Sequence, residues 1–247
     1  MLVAGATGDI ANDWTYDVSY QYGESNRVTV RDGYTNLTNI QTALDTTSTT
    51  TCTNSSDSSC VPLDLFGGFG TITPAMAGYA RAIALQQQQY EQSVFNLSAT
   101  GSISAIQLPS ADAPLQLSVG YEKRDESAAL TPDECLKLAP ASCQGGAGGN
   151  LLPIVGGFDV SEFFFEGYLP LIEGKTGAQA LGLEFGARIS DYSSVGNNET
   201  YKIGLNWQPI DSLMVRIMQQ EAVRAPNVGE LFSPVTAGLD NANIDPC

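Results

Sequence analysis

Hydrophobic and polar residues alternate along much of this chain. Between Thr200 and Gln208 the even positions carry lysine, glycine, asparagine and glutamine. The odd positions in this stretch are apolar or aromatic: Tyr201, Ile203, Leu205 and Trp207. Because successive side chains of a β-strand point to opposite faces, this pattern predicts a strand with one apolar face and one polar face.

The same alternation recurs in other parts of the chain, and together these stretches predict about eight strands. The stretches begin near Leu2, Trp14, Phe95, Leu115, Phe163, Leu181, Tyr201 and Leu213. Helical character is weak at 36–46 and clearer from Thr73 to about Leu85, where Thr73 is a suitable N-cap and Pro74 a suitable first helical residue. The chain is therefore predicted to be all-β.

The connections between the predicted strands differ in length. Short turns are expected near 11–13, 106–114, 172–179 and 209–212, and the linker at 192–198 is also short. The segments at about 23–89 and about 126–157, and the segment after Arg224, are long. Outer-membrane barrels have short periplasmic turns and long extracellular loops. We therefore predict an antiparallel up-and-down transmembrane β-barrel segment of about eight strands, with the long segments outside the cell.

Two other folds also give strands with unlike faces. One is a soluble, secreted β-sandwich that binds or hydrolyses carbohydrate, and the other is a complete small eight-stranded outer-membrane barrel. The contrast between an apolar, aromatic-rich face and a face with Glu, Lys, Arg, Asn and Gln favours a barrel with a wet interior. The long segment at 23–89 and the unpaired Cys247 argue against the small complete barrel.

The chain is strongly acidic, with 11 Lys and Arg, 27 Asp and Glu, and a formal net charge of -16. This balance argues against nucleic acid as a partner, because nucleic-acid binding relies on basic patches. The sequence contains no His, which excludes Ser-His triads and His-based acid–base catalysis. The Gly-rich run at 144–150 lacks the Lys and the following helix of a P-loop. We therefore predict no enzyme activity, no cofactor and no metal site.

The five Cys residues lie in loop-like sequence. Cys52 and Cys60 have the same spacing as Cys135 and Cys143, and this spacing allows two short disulfide-closed loops in an oxidising compartment. Free thiols are the alternative. Cys247 is left over as the last residue, which suggests that the chain ends before its partner.

Several segments resemble the barrel of TonB-dependent outer-membrane receptors. The most specific are SDYSSVG at 190–196, GLNWQPID at 204–211 and VRAPNVGELF at 223–232. Upstream, DWTYDVSYQYG, CVPLDLFG and VGYEKRDES are similar to the same family in the same order, so the resemblance covers nearly the whole chain. The segment MVRIMQQEA departs from it, because the family usually has small polar and aromatic residues there.

The resemblance implies a place for this chain within a larger barrel. Receptors of this family have about 22 strands, the size class whose lumen is plugged. The family's N-terminal plug, coupling box, signal peptide and final strands have no counterpart in this sequence. We therefore expect residues 1–247 to be a partial receptor barrel domain that does not transport by itself.

The resemblance also implies a function for the parent protein. It would take up a scarce nutrient, such as a ferric siderophore, a cobalamin or an oligosaccharide, across the outer membrane of a Gram-negative bacterium. Its partners would be the plug, outer-membrane lipid and an inner-membrane energy-coupling protein. The motifs do not identify the ligand.

Six charged side chains fall on the predicted polar face. Glu162 and Glu166 lie on one strand at a separation of about 13 Å by strand rise, which exceeds the spacing of glycosidase carboxylate pairs. We expect these charges to line the lumen and to pair across neighbouring strands rather than to contact a ligand. The six are Glu162, Glu166, Glu184, Arg188, Lys202 and Arg216.

A second candidate region is the motif at 224–227. Arg224, Ala225, Pro226 and Asn227 resemble the end of a barrel strand in the family. Pro226 cannot donate a hydrogen bond to a strand ladder, so it should end the strand or lie at an edge. We interpret this motif as structural.

Overall fold

The alternating segments form the strands of an antiparallel sheet in the computed structural model, which describes residues 1–11, 13–53, 55–137, 143–144 and 151–235. Eight long strands follow one another across this sheet, and the two-residue strand β5 pairs with β2. The strands are β1 (Leu2–Ala11), β2 (Trp14–Asn36), β3 (Arg81–Ile103), β4 (Leu115–Pro132), β5 (Cys143–Gln144), β6 (Ile154–Lys175), β7 (Ala178–Tyr192), β8 (Gly196–Ile210) and β9 (Leu213–Glu221). Three short helices accompany them: α1 (Leu37–Leu44), α2 (Pro74–Ala80) and α3 (Val228–Phe232).

The order of the long strands is β1-β2-β3-β4-β6-β7-β8-β9, which is up-and-down with each strand beside its sequence neighbours. The predicted all-β, antiparallel architecture of about eight strands is therefore confirmed. Strands β1 and β9 end the order and do not pair with each other in the described part of the chain. The sheet is open, as expected for an incomplete barrel, and the alternative of a complete small barrel is not what the structure shows.

The described residues divide into two compact units. The first contains those of Met1–Glu24, Tyr90–Ser127 and Gly156–Leu231, and it includes all of β7, β8 and β9. The second contains those of Ser25–Gln89, Ala128–Val155 and Phe232–Cys247, with α1 and α2.

The register of β6 to β9 places the even-numbered residues on one face. Glu162 is opposite Ser190 in the β6–β7 pair, and Gly186 is opposite Lys202 in the β7–β8 pair. A β-carbon at Gly182 would lie 2.2 Å from the hydroxyl of Tyr168, so a larger residue there would displace the end of that side chain. The even face is thus polar and closely packed around glycines.

The odd-numbered face of β6 to β9 is apolar and exposed. Phe163 is 64% exposed and Ile217 is 68% exposed, and the alternate residues of β8 from Tyr201 to Trp207 are also exposed. Trp207 donates its indole N–H to the backbone oxygen of Gly177, close to a short turn, at 3.0 Å. A broad apolar face of this kind requires an apolar environment, and an aromatic at its edge is typical of a membrane barrel.

Several strands are longer than the sequence pattern predicts. Residues 24–36 continue β2, and β3 begins at Arg81, so the segment between these strands is 37–80 rather than about 23–89. In the same way, β4 continues to Pro132 and β6 begins at Ile154. Residues 24–36 are polar at most positions, so backbone pairing extends β2 where hydrophobic alternation gives no signal.

The two predicted helical segments are present. Asn36 caps α1 by accepting a hydrogen bond from the backbone N–H of Asn39, and Thr73 caps α2 by accepting one from Met76. Pro74 is the first residue of α2, as expected. The predicted end near Leu85 is wrong, because α2 ends at Ala80 and Leu85 lies in β3. There the backbone N–H of Leu85 donates to the Asp133 carboxylate at 2.6 Å, and Asp133 donates back to the Leu85 oxygen.

The short turns lie where the pattern places them. Strands β6 and β7 are joined by residues 176–177, and β8 and β9 by residues 211–212. Gly174 and Gly177 have positive φ angles of 66° and 77°, which a glycine adopts without strain. The turn at 11–13 includes Asn12, which lies outside the described residues. None of the helices in the described ranges has the length and apolar character needed to cross a membrane.

Candidate functional site

The structure brings the six predicted charges together on the even-numbered face of β6 to β9. The first group joins β6 to β7. Arg188 Nη1 donates to Glu162 Oε2 at 2.9 Å, and Ser190 Oγ donates to Glu162 Oε1 at 2.6 Å. The Glu162 side chain is only 5% exposed, so its charge is stabilised almost entirely by these two partners.

The second group extends across β6, β7, β8 and β9. Lys202 Nζ donates to Glu166 Oε2 at 3.1 Å and to Glu184 Oε1 at 3.2 Å. Arg216 Nη2 lies 3.7 Å from Glu184 Oε2, and Arg216 Nε donates to Asn206 at 2.8 Å. Glu166 is 57% exposed and Arg216 is 62% exposed, so the outer members of this group remain accessible to water or a partner.

The two groups contain three carboxylates and three cations, so their charges balance despite the acidity of the chain as a whole. Each ion pair joins side chains of two different strands, and so helps to hold those strands in register. The predicted pairing between neighbouring strands is present in the structure. That this face lines a lumen stays a prediction.

The sequence analysis missed a further polar group on β3 and β4. Glu126 accepts hydrogen bonds from the Tyr90 hydroxyl at 2.7 Å, from Gln92 Nε2 at 3.1 Å and from Arg124 Nη1 at 2.8 Å. Glu122, Arg124 and Glu126 alternate with exposed residues along β4, and this spacing was a signal for one shared face. It was missed because Glu126 was taken as the first residue of a long loop.

A cavity of 440 Å³ opens on the polar face of the first unit. Its walls come from β4, β6, β7, β8 and the end of β9. Polar side chains predominate in it, including Glu122, Arg124, Glu162, Arg188 and Tyr192. The cavity therefore connects the β3–β4 polar group with the first of the two ion-pair groups.

Both predicted disulfide bonds are present in the structure, Cys52 with Cys60 and Cys135 with Cys143. The loop closed by Cys52 and Cys60 is also held through Asp57, which accepts hydrogen bonds from Ser59 and from the Tyr79 hydroxyl. The hydrogen bonds from Ser59 and Tyr79 lower the pKa of Asp57 below its ordinary value. Cys247 and the Gly-rich run at 145–150 lie outside the described residues.

The motif at 224–227 follows β9 instead of ending it, since β9 stops at Glu221. Arg224 makes a bidentate ion pair with Glu230, with distances of 2.8 and 3.0 Å. Asn227 accepts from the backbone N–H of Glu230, and the Glu230 carboxylate accepts from the backbone N–H of Asn227, both at 2.9 Å. This is a capping box at the start of α3. Ala225 and Pro226, which follow Arg224 in the sequence, are half-buried.

The ion pair and the capping box have a clear electrostatic effect. The Arg224 guanidinium and the Asn227 N–H lower the pKa of Glu230 to about 2. The motif therefore acts as a structural clamp, with Arg224, Asn227 and Glu230 as its charged and polar parts. Glu230 was outside the predicted motif, although a capping box is readable from an Asn followed three residues later by a Glu.

Within the described ranges, no group of three or more His, Cys, Asp or Glu side chains is arranged to hold a metal ion. The arrangement offers a charge-balanced polar wall, on which the 440 Å³ cavity opens, and an exposed apolar face on the opposite side of the sheet.

A family model matches nearly the whole length of the chain. The sequence profile of the family described as TonB dependent receptor-like, beta-barrel, matches residues 3–246. No curated protein and no solved structure matches the chain.

Proposed function

The chain belongs to the TonB-dependent receptor β-barrel family, and from that premise we propose that it forms part of the wall of an energy-coupled nutrient importer. The family consists of outer-membrane receptors of Gram-negative bacteria, which transport nutrients and are not enzymes. The ligand class we propose for the parent protein is a scarce nutrient: a ferric siderophore, a cobalamin or an oligosaccharide.

The observation that carries this proposal is the difference between the two faces of β6 to β9. An exposed apolar face with Phe163 and Ile217 fits contact with outer-membrane lipid. The opposite face has charges that are already paired, as in Glu162–Arg188 and Lys202–Glu184, and this fits a wet lumen that faces a plug. A soluble β-sandwich would instead bury its apolar face against a second sheet.

The lengths of the connecting segments support the proposed orientation. The two long segments, between β2 and β3 and between β4 and β6, contain the disulfides Cys52–Cys60 and Cys135–Cys143. We place both segments outside the cell, where they take part in ligand capture, because outer-membrane barrels have long extracellular loops, and disulfides persist in such oxidising surroundings. The short turns between β6 and β7 and between β8 and β9 then face the periplasm.

Energy coupling follows from the same proposal. We propose that the backbone edges of β1 and β9 pair with further strands of the parent barrel, because open edges are not tolerated in lipid. An inner-membrane coupling protein would act on the plug, and the wall described here would hold the plug on its polar face.

The test is a deletion of the coding region in its native strain. Growth of the deletion strain is compared with growth of the parent strain in three media. In the first the iron is chelated, in the second growth depends on cobalamin, and in the third an oligosaccharide is the sole carbon source. We expect a growth defect in one of these media, rescue by the intact gene, and loss of ligand uptake when the proton-motive force is dissipated. Normal growth in all three media, together with absence of the protein from outer-membrane fractions, would refute the proposal.

A further inference from the structure

A groove of 540 Å³ opens on the exposed apolar face of the first unit. Its lining is almost wholly apolar and combines small residues, such as Ala99 and Ala187, with large ones, such as Leu97, Phe163 and Ile189. A flat face would meet all the chains of a bilayer alike. A groove offers one apolar chain more contacts than the surface around it, so this shape favours a chain held in a fixed place.

A second cavity, of 370 Å³, opens on the same face, further along β4 and β6 from the short turns. Tyr121 and Phe163 line the apolar groove, whereas Asp125 and Asp159, four residues away on the same strands, line the second cavity. Residues four apart on a strand share a face and are separated by about 13 Å. Among the described residues, this second lining includes Glu91 as a further carboxylate and neither Lys nor Arg. It therefore favours a cationic group.

Lys123 lies between the apolar groove and the acidic cavity. Its side chain is exposed, and it is two residues from Tyr121 and two from Asp125 on the same face of β4. The ring of Tyr121 contacts that of Phe163 at 4.8 Å between centroids, so Ser161, two residues beyond Phe163 on antiparallel β6, is level with Lys123. The Tyr121 hydroxyl donates to Ser161 Oγ at 3.3 Å. A cation and two hydroxyls thus separate the apolar zone from the acidic zone.

The order of these three zones matches one class of molecule. A phospholipid with an ethanolamine headgroup has acyl chains, then a phosphate, then an ammonium group. Its phosphate would accept hydrogen bonds from Lys123 and Ser161, and its ammonium would donate to Asp125 and Asp159. A headgroup that is only anionic would bring its charge close to the carboxylates, and an amphiphile that is only cationic would meet Lys123.

We infer that this face binds one phosphatidylethanolamine molecule, with an acyl chain in the groove, the phosphate at Lys123 and the ammonium at Asp125 and Asp159. The inference rests on the proposed function, in which this face contacts outer-membrane lipid. It deepens that function by naming the headgroup and the residues that select it.

The test is native mass spectrometry of the protein purified from outer membranes in a non-ionic detergent and stripped of lipid. The probes are phosphatidylethanolamine and phosphatidylglycerol with identical acyl chains, which share the phosphate but differ in having an ammonium or hydroxyl groups beyond it. A chelator is present, so that divalent cations cannot bridge an anionic lipid to the carboxylates. We expect phosphatidylethanolamine to bind about tenfold more tightly, the effect of one charge-assisted hydrogen bond.

Two lysine variants provide the matched comparison. Lys123→Gln removes the partner of the phosphate and should weaken phosphatidylethanolamine binding by about tenfold. Lys175→Gln makes the same change of charge at the other end of the sheet, where the side chain is exposed beside a short turn, and should change binding by less than about twofold. Circular dichroism checks that each variant keeps its sheet.

Two further variants separate the headgroup from the acyl chain. Asp125→Asn keeps the shape of the side chain but removes its charge, and should reduce the preference for phosphatidylethanolamine over phosphatidylglycerol by about tenfold. Ala187→Leu fills part of the groove and leaves the headgroup residues in place, so it should weaken both lipids by a similar factor.

The inference is overturned if phosphatidylglycerol binds the native protein as tightly as phosphatidylethanolamine, or if it binds more tightly once calcium replaces the chelator. It is also overturned if Lys123→Gln and Lys175→Gln behave alike, or if Ala187→Leu has no effect. Any of these results, with the uptake defect of the deletion strain intact, would refute the lipid site and leave the receptor function standing.

Discussion

The polar face of β6 to β9 and the segment between β2 and β3 maintain their structures by different interactions. On the sheet, charges such as Glu162 and Lys202 are fixed by partners on neighbouring strands, over a regular backbone ladder. The 37–80 segment has two short helices, and it relies on the Cys52–Cys60 disulfide and on helix caps. The sheet is specified by long-range register and the segment by local chemistry, so the two regions should respond differently to mutation.

The largest effect is expected when the buried carboxylate on the sheet is removed. Glu162→Ala removes a carboxylate that is 5% exposed and that accepts hydrogen bonds from Arg188 and Ser190, and should lower the free energy of unfolding by about 3 kcal/mol. Glu166→Ala breaks an ion pair whose carboxylate is 57% exposed and should cost about 0.2–1 kcal/mol. Urea unfolding of both variants in the same detergent measures the difference.

Comparing these two variants separates the effect of burial from the effect of losing a charge, because both remove one Glu from the same face of β6. Equal losses of stability would show that the buried position of Glu162 has no special role.

The next largest effect on stability is expected in the 37–80 segment. Replacing both Cys52 and Cys60 with Ser removes a short covalent loop, and the increased entropy of the unfolded segment should cost about 2–3 kcal/mol. The loss should be local, because the 37–80 segment forms its own contacts, such as the hydrogen bond from Leu63 N–H to the Ala43 oxygen. Hydrogen exchange should therefore accelerate at the amide of Leu63 and stay unchanged at amides of β7 and β8.

Exchange in β7 and β8 is thus the internal control for the disulfide variant. Acceleration throughout the sheet would contradict the contrast between local and long-range stabilisation. Protection at Leu63 equal to that in the native chain would show that the helices and caps suffice without the disulfide.

A smaller change tests the cap itself. Thr73→Ala removes the hydroxyl that accepts the Met76 N–H and should destabilise α2 by about 1 kcal/mol. Thr73→Ser keeps the hydroxyl and should retain most of that stability. Exchange rates of the Met76 and Ala77 amides distinguish the two variants, and similar rates in both would rule out the cap as a source of stability.

The contrast between the two regions also explains which parts of the fold could be predicted from the sequence. Strong alternation, as in Tyr201 to Trp207, predicted β8 and its faces, and the Thr73–Pro74 pair predicted the start of α2, because both signals are local. The residues at 24–36 gave no such signal, since ESNRVTVRDG is polar at most positions. Their strand depends on backbone pairing with partners far away in the sequence.

The candidate site was also predicted only in part from the sequence. The ion-pair partners on β6 to β9 were found because they alternate with apolar residues whose face was already clear. The bond between Tyr90 and Glu126 was not found, because Tyr90 was taken as near the end of one long loop and Glu126 as the start of another. A cavity depends on the register of several strands at once, and no single strand pattern contains that information.

The smallest effect concerns the clamp after β9, which combines both kinds of interaction. The pKa of Glu230 is lowered from the ordinary 4.5 to about 2 by Arg224 and by the Asn227 N–H. Because the folded-state pKa is depressed, the stabilisation of α3 by this carboxylate is complete above pH 4.5 and is lost as the pH falls from 4.5 through about 2. Carbon-13 NMR of the Glu230 carboxyl measures this titration directly. Arg224→Gln should move the midpoint back toward 4.5, whereas Arg216→Gln, on the sheet, should leave it unchanged. A native midpoint near 4.5 would mean that the clamp is open in solution, and the motif would then lose its structural role.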